Sequence, residues 1–243
     1  MKIYIGYDPR DNNAYAVLKH SIRKNTKNPE NVKIIPIWEP MLRHLSLYWR
    51  TYHVDEKGQY WDDKDGKPFS TMFSFARFGI PLLEDFGDEV VLFMDADMMV
   101  RTDIKELFDL WDDKYSVMCV KHDQKPEEAI KMDNKMQQPY DRKNWSSVML
   151  MKPSKCPINS YKLNNWSGSE LHQMLWVPSE EIGELPGGWN FLAGHDDPEG
   201  ADPQNVHHTL GTPDMLGLNA VETPWDQEWW SNLEEAGGNF ADS

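Results

Sequence analysis

The start of the chain alternates between apolar and polar positions in a pattern that predicts a strand, a helix and a second strand. The segment from Lys2 to Gly6 is rich in β-branched and aromatic residues, as strands are. Residues 14–26 carry apolar side chains at helical spacing, and residues 32–38 predict another strand, with Pro36 indicating a sheet edge. Strand, helix and strand at this spacing are typical of a parallel sheet in an α/β protein.

Strands and helices continue to alternate until glycine and proline become frequent. We predict strands at 89–97, 115–121 and 146–152, and helices at 71–87, 102–113 and 171–177. Pro81 is expected to kink or break the first of these helices. Polar composition predicts a loop or solvated hairpin at 51–70 and a loop with a short helix at 122–143. Residues 183–215 are expected to form a loop-rich segment with short strands, not a second domain.

The chain, of 243 residues, is strongly acidic, with a formal net charge of −15. This charge argues against nucleic-acid binding, which requires Lys and Arg to neutralise phosphates. No apolar run approaches the roughly 20 residues that cross a bilayer, so we expect no integral membrane segment. We expect the N-terminus to begin with a strand, because the first residues have no apolar segment of the kind found in a signal peptide. Two cysteines, Cys119 and Cys156, are too few for a disulfide framework, and we therefore expect a reducing cytoplasm.

Tryptophan is unusually frequent in this chain, with 11 residues. The common role of tryptophan is packing in cores and interfaces, and the alternative is that some of these rings cover the apolar faces of a sugar. If exposed, Trp225, Trp229 and Trp230 are expected to form an interface patch.

Two carboxylates, Asp95 and Asp97, follow directly on the apolar run from Val90 to Met94 and precede another, from Met98 to Val100. Buried acids this close repel each other and need a compensating cation. Ligands of open α/β sheets bind at the carboxyl ends of strands, and an extended backbone would direct both side chains to one face. Oxygen ligands of this kind suit Mg²⁺ or Mn²⁺. The alternative is a turn with two solvated acids.

The segment "SFARFGIPLLEDFGDEVVLFMDADMMVRTDIKELF" resembles the central part of nucleotide-sugar glycosyltransferases of family 8, the glycogenin and lipopolysaccharide-galactosyltransferase type. It has the order of that family: an Arg-bearing helix, "IPLL", an acidic gap, an apolar strand, Asp-x-Asp, and then "V..D..EL". The segments "YIGYDPRDNNAYAVLKHSI", "NWSSVMLMK" and "HHTLGTP" resemble further family motifs in the same order. The resemblance implies an A-type glycosyltransferase fold, which is α/β with a Rossmann-like mixed, mainly parallel sheet flanked by helices.

The resemblance also implies how the chain is organised. We expect a single glycosyltransferase domain over residues 1–243, with a loop-rich C-terminal part. Residues 1–121 would form the nucleotide-binding half, residues 122–224 the acceptor-side half, and residues 225–243 a Trp-rich tail.

Roles for individual residues follow from the resemblance as well. Asp95 and Asp97 would bind Mn²⁺ or Mg²⁺, with His208 completing the metal site and His207 as its competitor. The residues expected to contact the nucleotide sugar are Gly6, Tyr7, Asp8, Arg77, Asp95 and Gly211. Tyr7 either stacks on uracil or is a packed residue at a strand end. Arg77 contacts the sugar nucleotide, pairs with Asp95 or another acid, or does both.

Two family motifs are absent from this chain. Thr212-Pro213-Asp214 stands where the family has Lys-Pro-Trp. The lysine that binds the diphosphate in the family is therefore missing here, or a residue from another part of the chain replaces it. The family's Asp-Gln-Asp segment is not recognisable in this chain either. Glu170, His172 and Gln173 are possible substitutes, with Glu170 and Gln173 as catalytic candidates and a helix surface as the alternative. Asp196 and Asp197 are two further acids. They lie either within reach of a site built from loops or, as the alternative, in a solvated turn.

Together, the Asp-x-Asp segment and the family resemblance predict a metal-dependent enzyme that moves a sugar from a nucleoside diphosphate sugar to a hydroxyl of a glycan or another acceptor. We expect the donor to be a UDP-sugar. Retention of the anomeric configuration is implied by the resemblance alone. A haloacid-dehalogenase-like phosphatase is an alternative, although Met99 stands where it would have Thr or Val. A non-catalytic carbohydrate-binding module would leave the Asp-x-Asp segment without a purpose. A nucleotidyltransferase would need a Gly-rich, Lys-bearing phosphate loop, which is missing after the first strand.

Overall fold

The computed structural model describes residues 1–122, 142–215 and 221–237. The strands are β1 (Lys2–Gly6), β2 (Lys33–Ile37), β3 (Tyr52–Val54), β4 (Tyr60–Asp62), β5 (Pro68–Phe69), β6 (Val91–Met94), β7 (Met98–Val100), β8 (Val117–Cys119), β9 (Val148–Met151), β10 (Ile182–Glu184), β11 (Phe191–Leu192) and β12 (Asn205–His207). The α-helices are α1 (Asn12–Asn25), α2 (Glu39–His44), α3 (Ile80–Leu83), α4 (Lys105–Phe108), α5 (Ser160–Asn165), α6 (Gly168–His172) and α7 (Asp226–Glu235). Short 3-10 helices lie at Pro9–Asp11, Pro29–Asn31, Ala76–Gly79, Trp145–Ser147, Pro153–Lys155, Ser179–Glu181 and Gly187–Asn190.

Six strands form the main sheet, in the order β10-β8-β9-β6-β1-β2. β1 is parallel to β2 and β6, and β8 is parallel to β10, whereas β9 is antiparallel to its two neighbours. β6 and β9 are buried along their whole length, because a sheet covered on both faces needs apolar residues on both. The predicted α/β class with a mixed, mainly parallel sheet is confirmed, and β2 is an edge strand, as Pro36 indicated.

A second sheet has the order β11-β12-β7, in which β12 is antiparallel to β7 and parallel to β11. Trp229 of α7 and Trp225 just before it are buried in an apolar cluster that includes Met99 of β7. Trp230 is half-buried, so the tryptophans of this tail pack inward and do not form the interface patch predicted for them if exposed. α7 also packs against α1.

Most predicted elements are present, but several are shorter than expected. The strand predicted at 89–97 ends at Met94, and β7 is a separate strand in the other sheet. Only α4 forms within the helix predicted at 102–113, and the helix predicted at 171–177 lies earlier, as α6. α6 begins there because Ser167 and Glu170 form a capping box. The helices α2 and α5 were not predicted, and the segment predicted at 122–143 lies almost wholly outside the described residues.

The helix predicted over residues 71–87 is wrong for its first turns and its end. Residues 72–75 form turns, because the N–H of Ser74 donates to the carbonyl of Thr71 only three residues earlier (3.0 Å), a tighter turn than that of an α-helix. The N–H of Met72 donates to the carboxylate of Asp8 (3.0 Å). A 3-10 helix and the short α3 follow, with Pro81 in the first turn, where proline is well tolerated. Asp85 and Phe86 then adopt positive φ values of 48° and 54°, which end the helix.

Residues 52–69, predicted as a loop or hairpin, form a three-stranded antiparallel sheet, β3-β4-β5. Arg50 connects this sheet to the rest of the molecule. Its Nε and Nη2 donate to Asp62 (2.7 and 2.5 Å), and its Nη1 donates to the carbonyl of Trp166 (2.6 Å). Both side chains of the pair are 1% exposed, and the guanidinium lies 4.1 Å from the ring centroid of Phe75.

Among the described residues, no helix combines the length and the apolar character that crossing a bilayer requires.

Replacing Arg50 by methionine is expected to destabilise the fold strongly. The substitution Arg50→Met leaves Asp62 buried without its cation, so the free energy of unfolding should fall by about 3–5 kcal/mol. Urea denaturation followed by tryptophan fluorescence measures this change. Lys105→Met is the matched control, because it removes an exposed ion pair with Asp109 and should cost less than about 0.5 kcal/mol. Equal losses in the two variants would contradict the prediction.

Candidate active site

The Asp-x-Asp segment lies where the chain leaves the main sheet and enters the second one. Residues 95–97 form a bend between β6 and β7, so the backbone is not extended there, contrary to expectation. The N–H of Asp95 donates to the carbonyl of Ser147 (2.9 Å), and the N–H of His208 donates to the carbonyl of Asp97 (2.8 Å). The two carboxylates therefore stand at the carboxyl end of β6, held between strands of two sheets.

Arg77, which is buried, forms an ion pair with the first of these carboxylates, which is partly buried. Its Nη1 lies 2.8 Å from Oδ1 of Asp95 and donates to the carbonyl of Ser146 (2.9 Å). The guanidinium also covers the ring of Phe93, 4.8 Å from the centroid. Of the roles predicted for Arg77, the structure shows the pairing with Asp95.

His207 completes a group with the two carboxylates. Its Nε2 lies 3.2 Å from Oδ1 of Asp97, and its Nδ1 lies 2.8 Å from Oδ1 of Asn190. One ligand atom from each of Asp95, Asp97 and His207 lies within 4.8 Å of the other two. A histidine that binds a metal usually has its second ring nitrogen hydrogen-bonded in this way. The structure thus brings together the carboxylates and His207, which was predicted only as the competitor of His208.

His208 lies beside this group but contributes none of its clustered atoms. The side chain is buried, and its Nε2 has no hydrogen-bond partner among the residues that the structure describes. Burial, opposed in part by Asp226 and Asp97, lowers the pKa of His208 to about 4. Metal binding by His208 stays a prediction.

The three clustered side chains fit a small divalent cation. Carboxylate oxygens and a neutral imidazole nitrogen are ligand types that Mn²⁺ accepts, and three protein ligands leave positions for oxygens of a substrate. The carboxylates bring two negative charges, whereas Arg77 brings one positive charge. A bound cation would therefore compensate the remaining charge in this largely buried place.

The predicted nucleotide-contacting residues Gly6 and Tyr7 lie at the end of β1. The ring of Tyr7 packs edge-on against Tyr15 and Trp38, with centroids 5.2 and 5.3 Å away. A Cβ at Gly6 would lie 2.4 Å from the ring of Phe73, so glycine permits this close approach. These contacts fit the packed strand-end alternative for Tyr7, and nucleotide binding by Gly6 and Tyr7 stays a prediction.

Asp8 is fully buried and bonded within the protein. It accepts hydrogen bonds from the N–H, Nε and Nη2 of Arg10 (3.0, 2.9 and 2.6 Å) and from the N–H of Met72 (3.0 Å). Burial alone would raise the pKa of Asp8, but these hydrogen bonds outweigh it and hold the pKa below its usual value. Asp8 therefore organises the loop after β1, and a contact between Asp8 and the nucleotide sugar stays a prediction.

The loop after His208 turns at Gly211, whose φ is 112° and whose N–H donates to the carbonyl of His208 (2.9 Å). Asp214, at the position where the family's Lys-Pro-Trp motif ends, accepts hydrogen bonds from Asn13 (2.9 Å) and Thr212 (2.5 Å). This acid ties the loop to the first turn of α1. Contact between Gly211 and a donor stays a prediction.

The two catalytic candidates on and next to α6 are occupied by local contacts. Glu170 accepts hydrogen bonds from the N–H and the hydroxyl of Ser167 (2.8 and 2.7 Å), and Gln173 donates to the hydroxyl of Ser169 (2.5 Å). These bonds favour the helix-surface alternative, although a catalytic role for Glu170 and Gln173 stays a prediction. His172 differs, because its Nδ1 lies 2.8 Å from Oγ of Ser146, next to the Arg77 pair.

The remaining acids singled out from the sequence stabilise turns. Asp196 accepts the N–H of Leu192 (2.7 Å), and Asp197 accepts the N–H of Glu199 (3.0 Å). These bonds fit the turn alternative, and a ligand role for Asp196 and Asp197 stays untested.

Asn190 is a site residue that the sequence did not reveal. It is fully buried, and it donates to the carbonyl of Asn144 (3.1 Å) while it bonds to His207. In the sequence it follows Gly-Gly-Trp, where asparagine is an ordinary turn residue. No local signal separates such a residue from one that orients a ligand.

Sequence comparison decides the family. The Glycosyl transferase family 8 model matches residues 14–172. Protein CDI of Arabidopsis thaliana is 43% identical over 242 residues, which cover 96% of this chain and 86% of that protein. The chain belongs to glycosyltransferase family 8.

Solved structures share the fold of this family 8 glycosyltransferase. Galactosyltransferase LgtC, in complex with donor and acceptor sugar analogs, has a TM-score of 0.60 and 11% identity, with 97% of this chain and 96% of LgtC covered. GlyE of Streptococcus pneumoniae TIGR4 has a TM-score of 0.55 and 15% identity. The match covers 96% of this chain, which spans 60% of GlyE. The predicted enzyme class and A-type fold are confirmed, and a haloacid-dehalogenase-like phosphatase is not supported.

In this family 8 glycosyltransferase, Asp8→Asn is expected to lower stability in a pH-dependent way. Loss of the charge-assisted hydrogen bonds to Arg10 should reduce the free energy of unfolding at pH 7 by about 1.5–3 kcal/mol. Because the folded-state pKa of Asp8 is depressed, its contribution is present above the unfolded value of about 3.9 and is lost as the pH falls through the folded value. Urea denaturation between pH 7 and pH 3 measures the difference.

The matched control for this prediction is Asp197→Asn, which removes an exposed acid from a turn. Its effect should stay within about 0.5 kcal/mol at every pH. A difference between wild type and Asp8→Asn that grows as the pH falls would contradict the assignment.

Proposed function

We propose that this chain moves a sugar from a nucleoside diphosphate sugar, with UDP as the nucleotide, to a hydroxyl of a glycan or another acceptor, with retention and with bound Mn²⁺ or Mg²⁺. The observation that carries the proposal is the convergence of Asp95, Asp97 and His207 at the end of β6. β1 runs parallel beside β6, so the loop after β1 begins at the same edge. Ligands of open α/β sheets bind at this edge.

The leaving group of the reaction defines what the site must supply. A diphosphate departs with concentrated negative charge, and a divalent ion held by the three side chains would stabilise that charge as a Lewis acid. The chain's own residues keep the ligands in place beforehand: Arg77 holds Asp95, and Asn190 holds the ring of His207. Ligands that are already oriented need no rearrangement when the charge develops.

The charge of the surrounding protein supports dependence on a metal. The loop after His208 carries Asp214 and no lysine, and the chain has a net charge of −15. A diphosphate that approached this edge would be repelled by the nearby acids unless a cation stood between them. A metal ion bound to the carboxylates supplies that cation.

Support for the donor and the stereochemical course comes from the family. LgtC has been solved with donor and acceptor sugar analogs, and the family resemblance implies a UDP-sugar and retention. An inverting enzyme needs a general base near the acceptor. The sequence offers no clear residue for that base, and Glu170, a catalytic candidate for another reason, is engaged in the capping box. We further propose that the protein is located in a reducing cytoplasm, in keeping with the buried free thiols of Cys119 and Cys156.

Removing one carboxylate of the group is expected to abolish most of the transfer. Asp97→Asn keeps the shape of the side chain but removes a charged ligand, so release of UDP from UDP-sugars should fall on the order of 100-fold or more. UDP release with Mn²⁺, with Mg²⁺ and with EDTA measures the effect. Asp197→Asn, which changes an exposed turn acid, should leave the rate unchanged. Full turnover of the wild type in EDTA would remove the metal role while leaving the family assignment intact.

The two neighbouring histidines are expected to differ in their effect on metal affinity. His207→Ala removes a clustered ligand atom and should weaken Mn²⁺ binding at least about tenfold, whereas His208→Ala should weaken it less. Isothermal titration of Mn²⁺ into the nucleotide-free protein measures both. A larger loss for His208→Ala would show that His208 is the ligand, as the resemblance implied.

A further inference from the structure

His172 is half-buried, and its ring lies against aromatic residues next to the candidate site. Its ring packs edge-on against Phe78, with centroids 5.0 Å apart, and lies near Phe75 at 6.2 Å. Its Nδ1 is hydrogen-bonded to the hydroxyl of Ser146 at 2.8 Å. This polar contact joins α6 to the segment that precedes β9.

Ser146 connects this histidine to the first carboxylate of the metal group. The carbonyl of Ser146 accepts a hydrogen bond from Nη1 of Arg77 (2.9 Å), and the same nitrogen lies 2.8 Å from Oδ1 of Asp95. The next carbonyl, of Ser147, accepts the N–H of Asp95 (2.9 Å). The backbone and the side chain of Asp95 are therefore both oriented by the dipeptide Ser146-Ser147, and the hydroxyl of Ser146 is hydrogen-bonded to His172.

His172 is itself held firmly in place. The capping box of Ser167 and Glu170 fixes the start of α6, and the N–H of Gly168 donates to Asp65 (2.9 Å). Burial, together with the positive charges of Arg77 and Arg50, keeps the pKa of His172 well below its ordinary value. The ring is therefore a neutral hydrogen-bonding group at physiological pH, and it adds no repulsive charge next to Arg77.

We propose that His172 is a positioning residue, which sets the orientation of Asp95 in the metal group through Ser146 and Arg77. The inference rests on the proposed function, because it concerns the geometry with which a metal ligand is presented. It also gives a role to a residue of the segment that stands in place of the family's Asp-Gln-Asp motif. Glu170 then contributes through the cap that holds the helix of His172.

The hydrogen bond between His172 and Ser146 can be removed by substituting either residue. His172→Phe keeps an aromatic ring against Phe78 without the hydrogen bond, and Ser146→Ala removes the hydroxyl while keeping the carbonyl that Arg77 binds. Each variant should weaken Mn²⁺ binding to the nucleotide-free protein about tenfold, the lower end of the effect of residues that orient metal ligands. The double variant should be no weaker than the single ones, because both remove the same contact.

Two further variants separate positioning from a general loss of stability. His172→Asn returns a polar group close to the position of Nδ1 and should recover part of the affinity. Ser116, just before β8, is another buried serine, and its hydroxyl donates to the carboxylate of Glu181. Ser116→Ala removes this hydroxyl and should leave the Mn²⁺ affinity unchanged. Thermal unfolding of all variants without metal shows whether the fold is retained. The ratio of kcat to donor KM is measured alongside.

The outcomes are distinguishable from those that test the proposed function. Wild-type Mn²⁺ binding with weaker binding in His172→Phe and Ser146→Ala, non-additive in the double variant, supports the inference. Unchanged affinity in both single variants, or additive losses, overturns it and leaves the proposed metal-dependent transfer standing. A wild type that binds no Mn²⁺ overturns both proposals. If His172→Phe does not fold, Ser146→Ala alone decides between these results.

Discussion

The largely buried ion pair between Arg77 and Asp95 is the interaction on which the site depends. A carboxylate at the end of an apolar strand is costly without a cation, and Arg77 supplies one at 2.8 Å. Because the same guanidinium nitrogen donates to Ser146, the pair fixes the Ala76–Gly79 turn, the end of β6 and the start of β9 relative to one another. Asp97 can then face His207, since the bend that carries it begins at a residue held in place.

The family assignment and the geometry answer different questions. Membership of family 8 establishes a glycosyltransferase, whereas the structure shows which side chains of this chain meet at the edge of the sheet. The departures from the family pattern also acquire physical meaning. Asp214 serves as a tether to α1, and Glu170 serves as a helix cap, so residues at unusual positions have structural partners.

Local chemistry explains what the sequence predicted well. β1, α1 and β2 follow from apolar periodicity and turn residues, and the position of Asp95 and Asp97 follows from the apolar run before them. Tertiary partners explain what it predicted poorly. The carboxylate of Asp8 accepts the N–H of Met72, and the segment expected to begin a helix at residue 71 forms turns beside the loop after β1. The choice between His207 and His208 depends on the register of β12 against β7, because a shift by one residue exchanges the two faces of a strand.

The bend at residues 95–97 has a consequence for the whole molecule. Asp95 follows the last residue of β6 in the main sheet, and His207 is the last residue of β12 in the second sheet, which shares an apolar cluster with α7. An ion bound by both would crosslink the two sheets, and its binding energy would add to the energy of their packing. Because this coupling is reciprocal, a change that weakens the packing of α7 would also lower the affinity for the ion, although α7 itself supplies none of the clustered ligand atoms.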